Sequence, residues 1–289
     1  TEPISKIYEE IKNNELDFII LESPIGTRLA SQYSSHPSFD YYQTIHEKPI
    51  IGGYESRATV DSLTQSDSYF FNKFRLDGDG KDILRQDLGM HGTSILNYFN
   101  IKYVIIHKTE PLSFTDGTTR RISVEDTTTS NVLTRTPDLM SEILNGKKPY
   151  FEDNNVIAYK IPQSDSQKPF LLLGKGWEYY EVNNESRGMY PESIIKIVNP
   201  GEDKTDFSIK IKLLGYKDSR NVEIFFNGEY LFEENISSST TITLELNKLQ
   251  LISGENILSI KSDGHDIWVN ENFNKEQKIS LISFGISEK

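Results

Sequence analysis

No cysteine occurs among the 289 residues. That one absence removes disulfides, thiolate metal sites and cysteine nucleophiles. Long apolar runs are missing as well. The longest are FIIL at 18–21, YVII at 103–106 and FLLL at 170–173, far short of the roughly 20 residues a spanning helix needs. An excess of positive charge is also lacking: 43 acidic residues face 31 basic ones, for a net charge of −12. A nucleic-acid binder neutralises phosphates with a basic face, so no nucleic-acid partner is expected. Adhesion to an anionic bilayer by charge alone is disfavoured for the same reason.

Signature motifs are absent too. The chain has no Walker loop, no G-x-S-x-G, no G-x-G-x-x-G and no H-E-x-x-H. Its histidines, His36, His46, His91, His107 and His265, fall at no paired spacing. LDGDGKD at 76–82 looks like a calcium loop, but counting from Asp77 puts Lys81 where an oxygen ligand is required and Leu88 at the final acidic position. No metal and no cofactor is therefore expected. The opening TEPISKIYEEIKNNE has neither the basic start nor the apolar segment of a secretory leader. It does not begin with Met, so Thr1 is expected to be a trimmed or processed end with further sequence upstream.

What is present supports two cores, because 36% of the residues are hydrophobic and 11% aromatic. Ile4, Ile7, Tyr8 and Ile11 recur at the spacing of one helical face. DFIILESP at 17–24 then reads as a strand buried on both faces. Ile83, Leu84 and Leu88, then Ile95, Leu96 and Phe99, predict helical segments interrupted near Gly89 and Gly92, leading into a second buried strand, IKYVIIHK at 101–108. Helix alternating with buried strand is an α/β signal. Residues 109–137 are rich in Thr, Ser and Asp with almost no apolar pattern and predict a long loop. A short helix at 137–145 and a hairpin through Asp153-Asn154-Asn155 complete the first domain, expected over 1–162.

From 163 to 289 the pattern becomes all-β. Phe207, Ile209, Ile211 and Leu213 alternate with polar residues, the period-two mark of a strand with one wet face. Asn227-Gly228 between two strand-like runs is a strong hairpin signal. Short strands at regular intervals predict a β-sandwich of jelly-roll type. The fold class expected is thus an α/β (or α+β) N-terminal domain followed by an all-β sandwich.

Several segments, in this order, resemble a known family. FIILESPI, YYQTIHEKPIIGGYESR and LNYFNIKYVIIHK are similar to the region that follows the last transmembrane helix in large polytopic glycosyltransferases of the GT-C class, the lipid-phosphosugar-dependent type. GKGWEYYEVNNESRGMYPESIIKIVNP and SGENILSIKS resemble the opening and a later strand of their terminal sandwich. Where such proteins often carry an Arg-Trp pair, this chain has Arg187-Gly188-Met189. The resemblance implies an extracytoplasmic module attached to a membrane-embedded part of the same polypeptide. It also implies that the catalytic carboxylates lie in that other part, and that this one supports, gates or binds acceptor, with a glycan or lipid-linked sugar as the candidate partner in the last case.

The candidate binding residues form two groups. Tyr41, Tyr42, His46, Tyr54 and Arg57 cluster in sequence, and so do Trp177, Tyr179 and Tyr180. Aromatic rings with a few convergent polar groups suit a sugar site. The competing reading is that the first group packs the domain core, while Trp177 and Tyr179, on one side of a strand, and Tyr180, on the other, pack a junction. Glu22, Asp40, Glu47 and Glu181 could supply a carboxylate pair for glycoside hydrolysis. Their alternative is solvated or N–H-bonded carboxylates at strand ends. The expected function is a non-catalytic module, structural or contacting a glycan acceptor, at the outer face of the cell membrane. The alternatives are a stand-alone carbohydrate-binding protein or, less in keeping with the residues, a glycosidase-type enzyme.

Overall fold

The computed structural model describes residues 4–23, 25, 37–51, 69–74, 83–108, 127–163, 167–181, 186–202, 205–215, 219–237, 240–263 and 279–287. These fall into two compact units, one drawn from within 1–62, 70–79 and 88–165, the other from within 63–69, 80–87 and 166–289.

In chain order the elements up to residue 160 are α1 (Lys6–Lys12), β1 (Ile19–Ser23), α2 (Pro37–His46), β2 (Ile50–Ile51), α3 (Tyr69–Asn72), β3 (Leu84–Arg85), α4 (Leu88–Tyr98), β4 (Ile101–His107), α5 (Thr127–Ile143), β5 (Phe151–Glu152) and β6 (Val156–Lys160). All but β3 build the α/β unit. Its sheet has the order β2-β1-β4-β6-β5. β1 is parallel to both neighbours, and β6 runs antiparallel to β4 and to β5. The two strands expected to be buried on both faces are so. Ile20, Tyr103 and Ile105 pack under Ile7, Tyr8 and Ile11 of α1. On the opposite face Ser23 meets Thr136 of α5 at 3.4 Å.

Three local expectations are corrected. The helix α1 begins at Lys6, and Ile4 is left 43% exposed outside it. The stretch at 83–99 is not a pair of interrupted helices. Leu84–Arg85 is a strand, and α4 runs unbroken through Gly89 and Gly92. A Cβ on Gly92 would lie 2.7 Å from the Ile143 Cγ1 atom of α5, so this glycine serves close helix packing and breaks nothing. Finally, part of the expected Thr-rich loop is helical. α5 starts at Thr127 and carries Pro137 in its interior. Its buried residues Thr136, Leu139, Met140 and Ile143 give it an apolar stripe, and packing outweighs weak local propensity. Residues 109–126 lie outside the described ones.

The second unit contains β7 (Phe170–Leu173), β8 (Trp177–Glu181), β9 (Ser186–Met189), β10 (Glu192–Asn199), β11 (Thr205–Gly215), β12 (Arg220–Phe226), β13 (Glu229–Ile236), β14 (Thr241–Leu251), β15 (Gly254–Ser262) and β16 (Ile279–Ser287). They form two sheets, β13-β12-β15-β10-β7 and β14-β11-β16-β9-β8, with β3 added beside β16. From β10 onward the chain crosses repeatedly between the sheets, the connectivity of a jelly-roll sandwich. One core joins the inward rows of both: Ile195, Ile197, Val222, Ile224, Leu258 and Ile260 from the first, Phe207, Ile209, Ile211 and Leu213 from the second. β3 adds Leu84, beside Ile83, to the same core. The Asn227-Gly228 hairpin is present, with both residues at positive φ, 49° and 84°, as a type I′ turn requires.

Candidate functional sites

Two places concentrate chemistry. The first is at the carboxyl end of the parallel strands. From β1 the chain goes to β2 on one side and later to β4 on the other, so strand order reverses between β1 and β4. In open α/β sheets such a reversal leaves a crevice at the carboxyl edge. Here that edge carries Glu22 from β1 and His107 from β4. Both side chains lie on the face covered by α1 and α2.

Glu22 is fully buried. Its Oε2 lies 2.5 Å from His107 Nε2 and accepts a bond from the Tyr8 hydroxyl at 3.3 Å. Its Oε1 lies 3.8 Å from Nε2 of His46, also fully buried. Among the described residues, neither Oε1 nor His46 Nε2 has a hydrogen-bond partner. The backbone sets the His46 ring: α2 ends there, Glu47 turns to φ 59°, and the Lys48 N–H donates to His46 Nδ1 at 3.0 Å. With Nδ1 accepting, the neutral ring carries its proton on Nε2, toward Glu22. Burial first, then the Lys48 charge, lowers the His46 pKa to about 4, so the ring is neutral at pH 7. The rings stack in sequence: His46 on Tyr8 at 5.6 Å, Tyr8 on Tyr42 at 4.8 Å, and Tyr42 on His107 at 5.3 Å. Tyr42 is half-buried and is the outermost member.

The second place is the outer face of the β13-β12-β15-β10-β7 sheet. Val222, Ile224 and Phe226 face the core, so Phe225 faces out. Tyr230, 55% exposed, sits opposite it across the hairpin, with ring centroids 5.7 Å apart and nearly perpendicular. Lys261 Nζ lies 4.7 Å from the Phe225 ring. On the adjoining strands the Ser259 hydroxyl donates to Glu192 Oε1 at 3.3 Å, and Lys261 and Lys175 each approach Glu192 at 3.8 Å. The face thus offers one exposed ring edged by hydroxyl, ammonium and carboxylate groups.

Among the sequence candidates, Tyr42 and His46 join the first site. The side chain of Tyr41, and Tyr54 and Arg57 entirely, lie outside the described residues. Trp177 is half-buried: it packs on the sandwich core and donates its Nε1–H to the Ile194 carbonyl at 2.7 Å. The backbone pairing along β8 is irregular. Trp177 pairs with Met189 and Tyr180 with Arg187, three steps against two, a β-bulge. The side chains of Tyr179, Tyr180, Asp40 and Glu181 lie outside the described residues. Glu47 is exposed and bonded to Lys12 at 2.6 Å. Glu22 is buried, and among the described residues its partners are the His107 and Tyr8 side chains, which corrects the reading of it as an ordinary strand-end carboxylate. Phe225 and Tyr230 were legible, since alternation through VEIFF leaves an aromatic residue on the wet face. The meeting of Glu22 with His107 was not, because 85 positions separate them.

No family model matches the chain, and no curated protein does. Among solved structures, a family 35 carbohydrate binding module from an environmental isolate is 10% identical, with TM-score 0.25, covering 35% of this chain and 66% of that one. The carbohydrate-binding module CBM36 in complex with calcium and xylotriose is 10% identical, with TM-score 0.23, covering 35% and 79%. CBM35 from Cellvibrio japonicus Abf62 is 14% identical, with TM-score 0.27, covering 42% and 94%. What those modules bind is a property of those modules.

Proposed function

We propose that this chain is a non-catalytic, glycan-contacting module, and that the outer sheet face of its sandwich makes the contact. The observation that carries this is Tyr230, 55% exposed beside Phe225, with Ser259 and Lys261 on the strand next to Phe225 and Glu192 one strand beyond. A sugar ring lays its C–H face on an aromatic ring and gives its hydroxyls to polar neighbours, and this face supplies both kinds of partner. Affinity electrophoresis through gels containing soluble polysaccharides tests it. Retardation of the wild-type chain by at least one polymer is expected, weakened about tenfold in Tyr230→Ala, whose exposed side chain contributes roughly 0.5 kcal/mol or less to stability. Equal retardation of both proteins would count against this face.

The parent is proposed to be a polytopic membrane protein of GT-C-like organisation, with this module on its extracytoplasmic side. The order of the LESP, YYQTIHEKP and YVIIHK segments supports that reading. No helix among the described residues is long and apolar enough to cross a membrane, so the anchor would be encoded elsewhere. Antibody against this 33.1 kDa chain, used on fractionated source cells, is expected to detect a much larger band in a carbonate-washed membrane pellet. A soluble band of the chain's own mass contradicts the membrane parent.

A further inference from the structure

We propose that the carboxyl edge of β1 and β4 is a second ligand site, in which Glu22 and His46 together grip one hydroxyl of a small polyol or monosaccharide. It belongs to the α/β unit and stands independently of the sandwich face.

Three observations lead there. The edge lies at a reversal of strand order, where open α/β sheets place their ligands. Two fully buried polar atoms, Glu22 Oε1 and His46 Nε2, turn toward each other without hydrogen-bond partners among the described residues. Their separation of 3.8 Å is too long for a direct bond, yet an oxygen set to one side of the line between them can lie about 2.8 Å from both. The third observation is what the two atoms require. Glu22 Oε1 can only accept if the group is a carboxylate. His46 Nε2 must donate, because Nδ1 already accepts the Lys48 N–H. One group that gives a proton and receives one satisfies both, and a hydroxyl does so. An ammonium would leave the imidazole N–H unmatched, and a carboxylate or phosphate would oppose Glu22.

The remaining members of the cluster hold that pair in place. His107 and Tyr8 both engage the other oxygen of Glu22, which fixes the carboxylate plane and leaves Oε1 turned to His46. Tyr42, half-buried over Tyr8 and His107, is the ring a ligand would pass or displace. A purely structural cluster would close its own hydrogen bonds; this one is complete except at the two facing atoms. Solvent offers the same donor–acceptor pair as a ligand hydroxyl, and a titration separates the two.

The full chain carrying Tyr230→Ala, so that the sandwich face does not contribute, would be labelled with ¹⁵N-histidine and titrated with glycerol and with methyl α-glucoside. The His46 imidazole resonances are expected to shift saturably with at least one probe, with millimolar affinity. His107, joined through Glu22, should follow. In Glu22→Gln the affinity should fall about tenfold, since one partner of a buried bond is altered. Imidazole resonances unmoved by either probe, in a chain whose spectrum stays folded, would overturn the proposal. The titration without the Glu22 change decides the matter alone, should Glu22→Gln fail to fold.

Discussion

Asn256 in the sandwich and Glu22 in the α/β unit are both fully buried polar residues, yet they are treated differently. The Asn256 carbonyl accepts from Ile252 N–H at 2.9 Å and from the Asn227 side chain at 3.0 Å, while its amide donates to the carbonyls of Ile252, Gly254 and Ile197. Every group is matched, and the residue braces the turn between β14 and β15 and ties it to the neighbouring hairpin. Glu22 has one oxygen engaged twice and the other facing an imidazole beyond bonding distance. Burial of a polar group is costly unless its bonds are made. Asn256 therefore serves the architecture of the sandwich with its side-chain bonding complete. The α/β unit puts unmet bonding capacity inside.

The sharpest way to break that contrast is to remove the carboxylate. Glu22→Leu would strand His107 and Tyr8 without their common partner. Breaking a buried pair of this kind costs about 3–5 kcal/mol. Amide hydrogen exchange should show the loss in α1, α2 and β4, with the sandwich strands still protected. Equal loss in both units would contradict the separation drawn here.

Next in size is Asn256→Ala, which removes the side-chain bonds to Ile252, Gly254, Asn227 and the buried Ile197 carbonyl. A cost of about 2–3 kcal/mol is expected, seen as faster exchange in β10, β14 and β15 and none in β4.

A pH titration sharpens the contrast from the other side. The His46 pKa, ordinarily 6.5, falls to about 4 in the folded chain, so between these values the unfolded chain binds more protons. The stabilising contribution is full above pH 6.5 and is lost as pH falls toward 4. The difference is on the order of 3 kcal/mol. Urea unfolding at stepped pH should show this slope, and His46→Gln should flatten that part of it. A slope unchanged in the variant would place its origin elsewhere.

How much of this was legible depended on distance along the chain. Period-two alternation in 207–213 and the Asn227-Gly228 pair predicted the sandwich, because strand faces and hairpin turns are decided by residues a few positions apart. The apolar runs at 18–21 and 103–106 likewise marked the two central strands of the α/β unit. Gly92 and Pro137 misled, since their effect depends on what packs against them: Ile143 makes Gly92 a contact, and the buried face at 136, 139, 140 and 143 keeps Pro137 inside a helix. For the α/β site, a glutamate inside FIILES and a histidine closing YVIIH were the available signals. Each breaks an otherwise apolar buried run and so demands a partner. Nothing local says that each is the other's partner. The β8 bulge is similarly silent in sequence.

The most direct test of the central claim is aromatic ¹³C NMR of the full chain, titrated with whichever polysaccharide fragment retards it in a gel. The ring signals of Tyr230 and Phe225 are predicted to shift in step with binding, while that of Trp177, bonded to Ile194 and packed on the core, stays still. Binding that moves Trp177 and leaves Tyr230 and Phe225 unchanged would contradict the assignment of glycan contact to the outer sheet face.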